Sequence, residues 1–143
     1  MKKSTSTKKI REARVIKGAG RGKRIGIPTI NFDPQNGHGL REGIYVCRVF
    51  IPSTSSGQVP KSHWGVLHFG PRPTFGDLQK SLEAHLFDFE NYGADFEDGD
   101  IEIHDFIRKI INFESTEAMV EEIKKDIKFA MKKINDYSSK SSK

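Results

Sequence analysis

The 143 residues predict a mainly β fold, a small antiparallel barrel carrying one long helix at its C-terminal end. Two observations carry that prediction. Short stretches rich in β-branched and aromatic residues recur along the chain with turn residues between them and no helical pattern. From residue 115 the period changes, and apolar residues recur every three or four positions. The length suits one domain with a core of its own.

Taken in order, residues 1–12 read as a basic, poorly ordered tail and residues 13–17 as a short strand. A glycine-rich stretch follows and runs into Pro28-Thr29-Ile30-Asn31, where the proline fixes the chain and Thr29 and Asn31 point the same way on an extended segment. Residues 33–39 (DPQNGHG) are turn-rich and predict a mobile flap. Residues 43–51 (GIYVCRVFI) form a strand apolar on both faces apart from Arg48, so a core lies on one side and a helix or loop on the other. The polar connection 52–60 leads to a partner strand at 62–70, in which Trp64 has a packing role.

Residues 81–89 (SLEAHLFDF) alternate, with Leu82, Ala84, Leu86 and Asp88 on one face and Glu83, His85, Phe87 and Phe89 on the other. Residues 91–100 are a loop. In the strand 101–111, Ile101, Ile103, Asp105 and Ile107 oppose Glu102, His104, Phe106 and Arg108. The helix covers 115–136, with Ser115 as N-cap, Glu117 in the first turn, and Val120, Ile123, Ile127, Ala130, Met131 and Ile134 as its apolar face. Residues 137–143 are expected to be disordered.

Composition narrows the function classes. No apolar run approaches the roughly 18 residues of a membrane span, no secretory signal follows the charged start, and Cys47 as the only cysteine excludes an internal disulfide. These features agree with a cytoplasmic protein. Net charge is +5, unevenly spread: residues 1–24 hold ten Lys/Arg against Glu12 alone, and the remainder holds 14 basic against 18 acidic residues. No aromatic residue is interleaved with the early cations, which argues against a single-stranded nucleic acid as partner.

The stretch 18–31 (GAGRGKRIGIPTIN) carries the chemistry. Gly18, Gly20, Gly22 and Gly26 alternate with Arg21, Lys23 and Arg24, so backbone amides can approach an anion that the cations neutralise. It is neither a Walker loop nor a dinucleotide fingerprint, because no Ser or Thr follows Lys23 and no amphipathic helix opens here. Two neutral oxygens, on Thr29 and Asn31, beside bound phosphates suit Mg²⁺. The five histidines show no metal-site spacing and read as structural or exposed.

This stretch resembles the signature of riboflavin kinases, a Gly-rich loop leading to Gly-x-Pro-Thr-x-Asn, here Gly26-Ile27-Pro28-Thr29-Ile30-Asn31. The resemblance continues in order through Gly43-Ile44-Tyr45, Gly70-Pro71-Arg72-Pro73-Thr74-Phe75, Leu82-Glu83-Ala84-His85 with Asp88-Phe89, Tyr92-Gly93, and Arg108 with Phe113, covering about residues 13–134. It implies a six-stranded Greek-key barrel closed by a C-terminal helix, and ATP-dependent phosphorylation of the riboflavin 5′-hydroxyl to FMN with Mg²⁺.

By the same resemblance, Gly20, Gly22, Lys23 and Gly26 hold the ATP phosphates, with Thr29 and Tyr92 on the nucleotide side. Thr29 and Asn31 are the magnesium pair and Glu83 is the general base, kept at low pKa by Mg²⁺ and arginine. Arg108, Asn112 and Phe113 meet the flavin. The sequence departs from the family in the apolar Lys109-Ile110-Ile111 and in His68, which stands where a small polar residue is usual. The residues before the barrel cannot supply an FMN adenylyltransferase domain, so a complete chain of this length is expected to stop at FMN and to act as a monomer on small molecules. The competing readings are a non-catalytic flavin-sensing module whose basic N-terminus contacts RNA or a partner protein, and an enzyme of similar fold using CTP and another small alcohol.

Overall fold

A computed structural model describes residues 7–18, 25–52, 61–89, 92 and 96–141. Six strands, β1 (Lys8–Ile16), β2 (Ile30–Phe32), β3 (Gly43–Ile51), β4 (Lys61–Arg72), β5 (Asp77–Leu86) and β6 (Asp98–Arg108), precede one helix, α1 (Thr116–Ser141). The strands close a barrel in the order β1-β2-β5-β4-β3-β6, every pairing antiparallel. The chain therefore leaves β2, crosses to β3 and returns through β4 to pair β5 with β2. This is the Greek-key connectivity the resemblance implies.

Period-two alternation fills the barrel. Ile30 and Phe32 of β2, Tyr45, Cys47 and Val49 of β3, Leu82, Ala84 and Leu86 of β5, and Ile101 and Ile103 of β6 all point into one core. The opposite faces of β3 and β4 put Val46 and Val66 against Ala130, with Ile127, Ile134 and Tyr137 of α1 completing a second cluster. The two apolar faces expected for β3 thus meet the barrel interior and the helix. Arg48, their interruption, lies over Phe50 and Trp64.

Several boundaries differ from the sequence reading. β1 begins at Lys8, inside the stretch expected to be a tail, because pairing with β6 uses its backbone and only Ile10 and Ala13 must face inward. Residues 33–39 are pinned, not a flap. Asp33 accepts from the Gln35 amide, the Asn36 carboxamide accepts from the Arg14 amide, and Gly37 is buried against Phe69. In β6 the simple alternation fails, because register shifts against β3 turn Phe106 into the core cluster and Ile107 toward the helix.

Helix α1 opens as predicted, with the Ser115 hydroxyl accepting from the Ala118 amide at 3.1 Å. It extends past Asp136 to Ser141, and the Tyr137 hydroxyl donates to Asp105 at 2.6 Å. Met131, assigned to the apolar face, is about half exposed; Met119 and Asp126 are buried instead. No helix among the described residues is long and apolar enough to cross a membrane.

Candidate active site

Between the barrel wall and α1 lies a cleft that opens to solvent. Ile27, Ile44, Val66, Ile110, Met119 and Ile123 give it aliphatic walls, and Thr29, His68, Arg72, Glu83, His85 and Arg108 its polar groups. Alternation explains why chemistry sits here: with Leu82, Ala84 and Leu86 inside the barrel, Glu83 and His85 face the cleft. Asn31 is the direct cross-strand partner of Glu83, on the same face.

Glu83 is 8% exposed and fully partnered. Arg72 donates to both its oxygens, Nε to Oε2 at 2.7 Å and Nη2 to Oε1 at 2.9 Å, and the Thr29 hydroxyl donates to Oε1 at 3.1 Å. Burial alone would raise this carboxyl, but the Arg72 charge and hydrogen bonds prevail and lower it to about 2. Glu83 is ionised at neutral pH and lines the cleft.

Gly26 has φ +82°, a conformation that favours glycine, and the space where its side chain would be is open. Gly18, at the other end of the glycine-rich stretch of sequence, abuts Asn31 so closely that a Cβ would overlap the carboxamide. Gly20, Gly22 and Lys23 lie outside the described residues. Among the described residues no group of three or more His, Cys, Asp or Glu could hold a metal ion. A cation here would take neutral oxygens from Thr29 and Asn31 beside the Glu83 carboxylate, a donor set suited to a hard divalent ion.

At the far end Arg108 lines the cleft, but its guanidinium is held by Asp126 of α1, with Nε to Oδ1 at 3.0 Å and Nη2 to Oδ2 at 2.8 Å. Burial raises the Asp126 carboxyl while Arg108 pulls it the other way. The Phe113 ring lies 5.5 Å from the Arg108 guanidinium and its amide donates to Thr74 Oγ1 at 3.0 Å, tying the loop before α1 to the turn after β4. Asn112 is exposed and outside the lining. Tyr92 is also outside it: its hydroxyl accepts from the Leu86 amide at 2.8 Å and donates to the Leu86 carbonyl at 2.9 Å. That geometry fastens the loop after β5 to the barrel.

Sequence reading passed over four residues of the site. Arg72 stood inside the quoted turn at 70–75, and the signal was Glu83 itself, since a carboxylate on a strand face beside the core requires a partner. Asp126 interrupts the helix's apolar spacing between Ile123 and Ala130. His85 and His68, read as structural or exposed, line the cleft and hold the carbonyls of Pro28 at 2.8 Å and Pro71 at 3.2 Å. Nothing local marks the His85 bond, because Pro28 lies in the chain leading into β2; the His68 bond is local, three residues along β4.

A closed β barrel with a buried carboxylate, Glu83, held ionised at an aliphatic cleft, a hydroxyl and carboxamide beside it and a glycine-rich basic stretch of sequence before it, fits the class of small ligand-binding domains. Within that class the chain belongs to the riboflavin kinase family, whose model matches residues 7–134. It is 38% identical over 122 residues to the RNA-binding riboflavin kinase RibR of Bacillus subtilis, covering 83% of this chain and 48% of that protein. To the riboflavin kinase of Mus musculus it is 34% identical over 128 residues, 85% of this chain and 77% of the relative. The chain spans half or less of the bacterial relatives it matches. Among solved structures, a macrolide-efflux protein from Streptococcus pneumoniae shares the fold with a TM-score of 0.55 and 24% identity, over 86% of this chain and 37% of that one.

Proposed function

We propose that the chain phosphorylates riboflavin at its 5′-hydroxyl, taking the γ-phosphoryl of ATP and releasing FMN and ADP. The observation that carries this reading is Glu83, a buried carboxylate held ionised by Arg72 with Thr29 and Asn31 alongside. Phosphoryl transfer is largely positioning plus charge neutralisation, and the remaining need is an acceptor for the hydroxyl proton. With Glu83 at about 2, the proton moves to it as the oxygen–phosphorus bond forms, and not before.

The aliphatic walls bury the flavin ring, and Arg108 with Phe113 closes that end. The glycine-rich stretch, Gly20, Gly22, Lys23 and Gly26, takes the ATP phosphates; Thr29 and Asn31 hold Mg²⁺. When bound, Mg²⁺ would neutralise the charge that develops between the β- and γ-phosphates. The reading places the protein in the cytoplasm, as a monomer acting on small molecules. No nucleic acid enters it, since β1 carries Lys8, Lys9, Arg11 and Arg14 without an aromatic residue among them.

The test is FMN formation from riboflavin, ATP and Mg²⁺ by the intact protein and by Glu83→Gln. The variant is expected to retain flavin binding and to turn over about 10²-fold more slowly or worse. Flavin binding by the intact protein with no FMN formed from either ATP or CTP would overturn the proposal.

A further inference from the structure

His68 of β4 sits directly opposite Glu83 of β5, and its ring lies on the cleft wall. Neither nitrogen is left over. Nε2 is 3.2 Å from the Pro71 carbonyl, and because a carbonyl only accepts, Nε2 carries the hydrogen. Nδ1 is therefore the bare nitrogen, 3.3 Å from the Ser81 hydroxyl, whose single hydrogen has both this nitrogen and the Gly70 carbonyl, 3.4 Å away, within reach. Burial, with Arg72 adding to it, lowers the imidazole to about 3, so the ring is neutral near pH 7.

The carbonyl it grips belongs to the residue immediately before Arg72. Pro71 sits where the β4–β5 pairing is irregular, since the register shifts between Gly70 and Arg72. Regular strand bonding does not fix the peptide between them, yet Arg72 must deliver two bonds to Glu83. From this geometry we infer that His68 is a positioning residue, holding the Pro71 carbonyl so that the Arg72 guanidinium meets both oxygens of Glu83. The role rests on the proposed reaction, in which Glu83 accepts the proton, and a misplacement of about 1 Å at such a group costs on the order of 10²-fold.

The test compares His68→Gln with His68→Met, side chains of similar length of which only glutamine keeps a donor where Nε2 stands. For riboflavin phosphorylation, kcat of the methionine variant should fall about tenfold or more with KM for riboflavin within about threefold, and glutamine should restore it. Equal rates in the two variants would overturn the role. A second measurement needs no turnover: unfolding equilibria of His68→Met, Arg72→Met and the double variant. The methionine at 68 should cost about tenfold in the unfolding constant with Arg72 present and under about twofold without it. Multiplicative penalties would overturn the inference.

A third measurement uses the native protein. Its imidazole ¹⁵N shifts should report the Nε2–H tautomer of His68 at pH 7, and the Nδ1–H form would refute the clamp. If the native protein makes no FMN, the proposed function falls, while the unfolding cycle and the tautomer still decide what His68 does.

Discussion

A carboxylate with 8% of its surface exposed is tolerable only where its lost hydration is replaced, and at Glu83 the replacement is Arg72 and Thr29. Such a group ties stability to pH. Its folded pKa, about 2, lies below the ordinary 4.5, so its stabilising contribution is complete above pH 4.5 and fades as pH falls toward 2. The difference amounts to about 3 kcal/mol. Glu83→Gln removes that part and leaves Arg72 half-buried without its charge partner. Urea unfolding of both proteins at pH 6 should therefore show the native protein more stable by about that amount, and at pH 2.5 the gap should have largely closed. A gap independent of pH would mean that Arg72 does not hold the carboxylate ionised.

At the scale of elements, the joint that shapes the cleft is the one between β6 and α1. Arg108 ends the strand, Asp126 is 3% exposed on the buried side of the helix, and Met119 and Ile123 of the same face line the cleft. Asp126→Ala strands a guanidinium that is 14% exposed, and breaking a buried pair from one side costs about 3 kcal/mol or more. The expected result is a melting temperature lower by roughly 10 °C together with weaker riboflavin binding, read by flavin fluorescence. Unchanged binding in a destabilised variant would show that the helix wall is not part of the flavin site. This joint also marks where sequence reading reaches its range. The helix start with its Ser115 cap and the alternation of β5 from Leu82 to Leu86 are local patterns and were legible; Phe89, expected on the Glu83 face, lies past the strand's end and packs on the barrel core. The partnership of Arg108 with Asp126, the bulge that turns Phe106 inward, and the packing of Gly37 on Phe69 depend on segments far apart in the chain, and no local period encodes them.

For the molecule as a whole, closure of the barrel decides how ligands and stability are linked. The cleft draws Thr29 and Ile27 from the chain leading into β2, Ile44 from β3, His68 and Arg72 from β4, Glu83 from β5, Arg108 from β6 and Met119 from α1. The site is lost when these segments separate, so a ligand that needs it binds only the folded chain and shifts global unfolding by mass action. Riboflavin at 100 times its dissociation constant should add about 2.7 kcal/mol, a rise in melting temperature of roughly 8 °C. ADP with Mg²⁺ should add a further increment, because Thr29 and Asn31 stand beside Glu83 and not along the aliphatic wall. EDTA should abolish the nucleotide's increment while leaving that of riboflavin, since the walls that would bury the ring contain no metal donors. A riboflavin shift that also vanishes with EDTA would place the cation within the flavin site itself. Glu83→Gln should keep the riboflavin shift in this assay, because on the proposed reading the carboxylate takes the hydroxyl proton and the aliphatic walls bury the ring.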